Sequence, residues 1–204
     1  MEKFLNLPME KQNAIIDAAL ISFGTNGYKK SSVSDIAAAA GISKAMVFHY
    51  FGTKKALYLY LTELSGNLLM NEINEKFDSG VTDFFERIRL ATDIKVSVLK
   101  KHPALLSFCN SMYFESDDEV KADIQALLVK GEGFRRKIAF EGMDVSKFKD
   151  GIDPKLVMKM LVWFGEGFIS EFPNRAYDLE ALCNEFDQCI NLLKNNFYKA
   201  ECLS

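Results

Sequence analysis

The feature that most constrains this chain is how rarely it is broken. Only 4 prolines occur in 204 residues, and the stretches free of proline and glycine are long enough for several complete helices. Proline inside a helix costs roughly 3 kcal/mol and glycine roughly 1, so their sparseness predicts an all-α protein. Ile15, Ala18, Ala19 and Phe23 recur at i, i+3, i+4 and i+8, an amphipathic helix after Pro8 that ends near Gly27. Later patterns predict helices at 81–101, 103–115, 118–140, 154–172 and 179–199, with a loop at 141–152. Asp153-Pro154 is a start signal, a capping side chain followed by proline at the first helical position. Pro173-Asn174 is a stop. No internal repeat or low-complexity stretch is present.

Composition narrows the class. Apolar residues form 49% of the chain and charged residues 26%, the balance of an ordinary soluble protein. The net charge of −3 conceals an asymmetry: seven lysines and four acids give residues 1–55 a charge of +3, leaving −6 for the rest. A basic end allows contact with a polyanion and does not establish it. No apolar run of membrane-spanning length or signal-peptide pattern occurs, so a cytoplasmic location without a membrane partner is expected. Cys109, Cys183, Cys189 and Cys202 form no CxxC pair and read as reduced, mostly buried thiols. With His49 and His102 as the only histidines, no metal site is expected. No GxSxG, HExxH or phosphate-binding glycine loop appears; no cofactor is expected, and a helical enzyme is the disfavoured reading. His102-Pro103 reads as a helix junction.

The chemistry-bearing pattern lies between Ser31 and Leu57. Ser32-Val33-Ser34-Asp35 is a capping box, with Asp35 a short substitute for the usual Glu. A brief helix through Ile36 and Ala37 closes at Gly41, Ser43 caps a second one from Lys44 to Tyr50, and Thr53 caps a longer one. Ile42 and Val47 are apolar where two such helices would pack. Two short helices joined by a glycine turn are the pattern of a helix-turn-helix. The second helix would present small groups at its start, then imidazole and phenol, to a major groove. Lys54 and Lys55 fall in the first turn of the next helix, where the helix dipole disfavours cations unless a phosphate docks there.

Ser31-Ser32-Val33-Ser34-Asp35-Ile36-Ala37, Ala40-Gly41-Ile42-Ser43-Lys44, Val47-Phe48-His49-Tyr50-Phe51 and Lys54-Lys55-Ala56-Leu57, with Phe23 and Gly27-Tyr28 before them, resemble the N-terminal domain of TetR/AcrR-type repressors. The resemblance covers about residues 10–60. It implies a three-helix DNA-binding domain (1–53), a six-helix effector and dimerisation bundle (54–204) and a homodimer on a double-stranded DNA operator. Carried onto this sequence, it puts Ser32 and Ser43 near phosphates and Lys44, Ala45 and Met46 at the groove. His49 and Tyr50 would reach backbone or base edges, and Lys54 a phosphate. Phe48 departs from the family's usual tyrosine and is expected in the core.

The C-terminal part is rich in phenylalanine and methionine, most of which must form a bundle core. A small-molecule cavity would draw on the same residues, with Phe108, Met112 and Phe168 the candidates for its wall. Helix 154–172 is apolar on two faces, and Leu182, Phe186, Ile190 and Leu193 stripe the last helix. Met160, Trp163, Gly167, Phe186, Ile190 and Leu193 are the candidates for a four-helix dimer interface, against a wholly internal core as the alternative. Two functions stay open on this fold: a repressor released by a small, mostly apolar ligand, and a constitutive architectural DNA-binding protein without an effector.

Overall fold

A computed structural model describes residues 1–171 and 179–203, the side chains of 168, 169, 171 and 179 excepted. Among the described residues the chain forms ten α-helices and no strand. They are α1 (Glu2–Leu5), α2 (Met9–Lys30), α3 (Val33–Ala39), α4 (Lys44–Phe51), α5 (Lys54–Lys76), α6 (Phe84–Lys101), α7 (Pro103–Tyr113), α8 (Lys121–Phe140), α9 (Pro154–Glu171) and α10 (Leu179–Phe197). The long helices lie within a few residues of their expected bounds. His102 holds the N-cap of α7, with Pro103 in its first turn. The stop expected at Pro173-Asn174 lies outside the described residues.

Two elements were not legible. Helix α1 is a single turn, held because Phe4 is fully buried against the rings of Phe51 (4.8 Å) and Tyr60 (5.5 Å). The expected loop at 141–152 is pinned rather than free: Lys149 N–H donates to the Phe197 carbonyl and Lys199 N–H to that of Lys147.

Contacts divide the chain into two compact units, 1–71 with 99–131 and 72–98 with 132–204. The first has an aromatic core in which Phe23, Tyr28, Tyr58 and Phe108 meet at 5.0–6.5 Å between ring centres. Its tightest approach is between α2 and α7, where a Cβ on Gly24 would lie 2.9 Å from the Phe108 nitrogen. Gly27 breaks α2 with φ 71° and ψ 177°, and the Tyr28 N–H freed by the break donates to Glu115 Oε2 at 2.7 Å.

The second unit packs Phe84, Phe85, Phe148, Val157, Leu161, Ile190 and Tyr198 together. Asp83 caps α6, its Oδ1 accepting from the N–H groups of Phe85 (3.0 Å) and Glu86 (3.1 Å) and from the Tyr198 hydroxyl (3.2 Å). Arg87 is buried, donating from Nε to the Ile138 carbonyl at 2.8 Å and from Nη1 to the Val81 carbonyl. The four cysteines are half-buried, less enclosed than expected. Among the described residues no helix is long and apolar enough to cross a membrane, and no cluster suited to a metal ion occurs.

Candidate nucleic-acid interface

The α3–turn–α4 unit is built from local chemistry. Ser32 Oγ accepts from the N–H groups of Ser34 (3.2 Å) and Asp35 (3.4 Å), satisfying donors that a helix start leaves open. The reciprocal half of the expected capping box, Ser32 N–H to the Asp35 carboxylate, does not occur. Aspartate is one methylene shorter than the glutamate that closes such a box. Gly41 takes φ 68° and ends α3, with Gly41 N–H donating to the Ala38 carbonyl and Ile42 N–H to that of Ala37. That bond pattern needs a left-handed residue where Gly41 stands. Ser43 Oγ then accepts from Met46 N–H at 3.3 Å and starts α4.

These caps fix which side of α4 faces in. Val47, Tyr50 and Phe51 are buried, while Ser43, Lys44, Ala45, Met46, Phe48 and His49 are exposed. Lys44, Ala45, Met46 and His49 therefore share the outward side expected of them, and Ser32 is half-buried at the start of α3. Two placements differ from expectation. Tyr50 is buried near Phe4, at 6.2 Å between ring centres, because it falls on the inward side, three residues after Val47. Phe48, expected in the core, is 39% exposed, with the Lys44 ammonium 6.0 Å from its ring. At four residues from Lys44 it shares that residue's face, a relation readable from the spacing alone.

The cations that open α5 are engaged within the protomer. Lys54 Nζ donates to the Lys29 carbonyl at 3.2 Å and lies 4.5 Å from the Tyr28 ring centre. Lys55 pairs with Asp123 at 2.9 Å. A docked phosphate is therefore not required to balance either one. Thr53 caps the helix as expected, accepting from Ala56 N–H at 3.0 Å. Beside the Gly27 break lies a groove of about 600 Å³ whose lining includes Lys29, Lys30, Glu115 and Asp117, too polar for an apolar ligand.

The candidates for ligand and interface roles separate as well. Phe108 has no accessible surface and packs within the core of the first unit, as does the nearly buried Met112. Burial of this face of α7 is not revealed by the sequence pattern. The Phe168 side chain lies outside the described residues. Ile190 and Leu193, expected at an interface, lie in the core of their own unit, on the inward stripe of α10. Met160 and Phe186 are half-buried against that core. Trp163 and Gly167 are exposed on α9, as are Leu156 and Phe164.

Comparison with known proteins agrees with this construction. Residues 15–61 match the family of bacterial regulatory proteins described as the tetR family. A fatty acid metabolism regulator protein of Bacillus subtilis (strain 168) is 25% identical over 183 residues, 85% of this chain and 90% of that protein. A TetR family transcriptional regulator from Chloroflexus aurantiacus has the same fold, with a TM-score of 0.72 and 21% identity over 98% of both chains. The regulator FadR of Bacillus subtilis, solved in complex with stearoyl-CoA, superposes with a TM-score of 0.71 at 24% identity, covering 87% of this chain and 96% of that one. Through residues 15–61 the chain carries the N-terminal domain of the tetR family of bacterial regulatory proteins, and over most of its length it is similar to transcriptional regulators.

Proposed function

We propose that the protein is a homodimeric repressor that holds a palindromic operator through α4 and is released when a small, mostly apolar molecule binds its C-terminal helices. Residues 1–53 would read DNA, and residues 54–204 would bind the effector and the second subunit. The observation that carries the reading is the outward side of α4: Lys44 without a carboxylate partner among the described residues, beside Ala45, Met46 and Phe48. A cation for phosphate and apolar groups for thymine methyls suit a major groove, with few bidentate hydrogen bonds to bases. Tyr50 has a smaller part in this account than Phe48.

Dimerisation is supported by Leu156, Trp163 and Phe164, which leave a large apolar stripe of α9 exposed beside Gly167. Two recognition helices related by a two-fold axis would meet successive major grooves roughly 34–36 Å apart. An effector that favours a different spacing weakens DNA binding, and DNA weakens effector binding by the same factor. The stearoyl-CoA held by the Bacillus subtilis regulator makes a long-chain acyl thioester the first effector to try.

The test measures operator affinity of the full chain against salt, with and without palmitoyl-CoA. Lys44→Ala is expected to lower affinity and reduce the magnitude of the salt slope by about one. Palmitoyl-CoA is expected to release the operator. An unchanged slope would remove Lys44 from the interface. Operator binding that no acyl thioester, fatty acid or other apolar compound alters would favour the constitutive architectural reading.

A further inference from the structure

Helix α1 is too short to stand by itself. It is one turn without a side-chain cap, and isolated helices are marginal below roughly 12–15 residues. Two contacts from elsewhere hold it. Gln12 Nε2 on α2 donates to the Leu5 carbonyl at 3.1 Å and to the Leu7 carbonyl at 2.9 Å, tying the end of the turn to the next helix. Phe4, with no exposed surface, enters the core of the first unit.

Phe4 enters on the inward side of α4. Its ring meets Phe51 at 4.8 Å, Tyr60 at 5.5 Å and Tyr50 at 6.2 Å between centres, and Phe51 meets Tyr60 at 5.6 Å. Phe4, Phe51 and Tyr60 thus close a triangle of rings that joins α1, α4 and α5. Tyr50 and Phe51 are two of the three buried residues of α4. The outward side of the same eight-residue helix carries Lys44, Ala45, Met46 and Phe48.

Contacts to bases and to phosphates differ in how far they tolerate a shift of such a helix. Van der Waals contact between Met46 and a thymine methyl would lose roughly a quarter to a half of its attraction over a gap of about 0.5–1 Å. The attraction between Lys44 and a phosphate falls only inversely with distance, so it would change little over the same gap. A cavity behind α4 would therefore cost base reading and spare phosphate binding.

We propose that α1 is a positioning brace of the DNA-reading unit: Phe4 fixes the seat of α4 and so sets operator discrimination without touching DNA. This rests on the reading of α4 above and adds to it a residue outside the helix-turn-helix.

The test uses the full chain. The wild-type protein selects a duplex from a randomised pool, and its affinity is compared with that for a scrambled duplex of the same length across a salt series. Phe4→Ala should weaken binding to the selected duplex roughly tenfold to thirtyfold. Affinity for the scrambled duplex should stay within about twofold, with the salt slope kept. Phe4→Leu, which fills most of the space, should recover most of the loss. Gln12→Ala loosens the turn without opening the core, so discrimination should fall about threefold with the Tm nearly unchanged. That variant judges the brace even where Phe4→Ala does not fold. Ile124→Ala opens a cavity in the same core from α8 and should lower the Tm without changing discrimination. Wild-type discrimination in both Phe4→Ala and Gln12→Ala would overturn the brace. So would equal losses on both duplexes with a shallower salt slope, or the same loss of discrimination in Ile124→Ala, since either makes Phe4 a general support of the fold. A wild-type chain that selects no sequence would instead overturn the reading of α4 on which the brace depends.

Discussion

The two units of this protein are specified by different kinds of chemistry. The first is an apolar and aromatic core trimmed with local caps: Ser32, Ser43 and Thr53 each serve an N–H no more than three residues away. The first also has the Tyr28–Glu115 bond across 87 residues, but the second adds a network of charged and polar side chains that joins positions about a hundred residues apart. Arg89 reaches Asp187 (2.9 Å) and Asn191 (2.9 Å), Lys194 reaches Glu86 (2.9 Å), and Tyr198 reaches Asp83. Local chemistry makes a motif that can be recognised from a short stretch of sequence. Distant chemistry makes a fold whose parts give no such sign.

That difference predicts a sharp asymmetry in what single changes do, and Arg87 is its most exposed point. Arg87→Met keeps much of the volume and removes the guanidinium, leaving the Val81 and Ile138 carbonyls buried without their donor. A loss of about 3 kcal/mol is expected in chemical denaturation. Amide exchange should accelerate in α6 and α10 while α3 and α4 stay protected. A loss below about 1 kcal/mol, or equal acceleration in α3, would end the contrast between the units.

Asp83 gives the contrast a pH dependence. Burial alone would raise its pKa, but the Glu86 N–H, the Lys147 ammonium at 3.1 Å and the charge of Lys194 outweigh burial and hold the carboxyl below the ordinary range. A carboxyl whose folded pKa is depressed contributes stability above its unfolded value, near 3.9, and loses it as pH falls through the folded value. Asp83→Asn should therefore cost about 2 kcal/mol at neutral pH. The gap to the parent protein should narrow steadily below about pH 4. A gap that stayed constant down to pH 2 would show that geometry, not charge, is what Asp83 supplies.

The same divide explains what was legible in the sequence. The helix-turn-helix could be read because Ser32, Gly41 and Ser43 act on their own neighbours, where spacing alone carries the argument. Ile190 and Leu193 pack in the core of their own unit, which the sequence does not reveal because an apolar stripe looks alike whether it faces a partner subunit or its own core. The burial of Phe108 was not legible for a related reason: an aromatic residue that fills a core and one that walls a cavity differ only in the space beside them. Tyr198, and the distant partners of Asp83 and Arg87, gave no signal at all, since residues far off in the chain explain them.

The smallest expected effect tests the local side of the comparison. Ser32→Ala removes a hydroxyl that serves two N–H groups at 3.2 and 3.4 Å, both longer than the strongest such bonds. Without the reciprocal bond from Asp35, the cap stands alone, and its loss should cost about 1 kcal/mol or less. The exposed helix start lets water replace the lost acceptor, so global unfolding should shift only slightly. Operator affinity should fall by more than that shift accounts for, because Ser32 is proposed to lie near a phosphate and α3 supports α4. Ser32→Asp would separate the two roles. Aspartate caps a helix as well as serine does and suits the positive end of its dipole, so stability should be kept or improved. Its charge would repel a nearby phosphate, so DNA binding should still fall. Recovery of both stability and DNA affinity in Ser32→Asp would place Ser32 away from the phosphate backbone and leave it a structural cap alone.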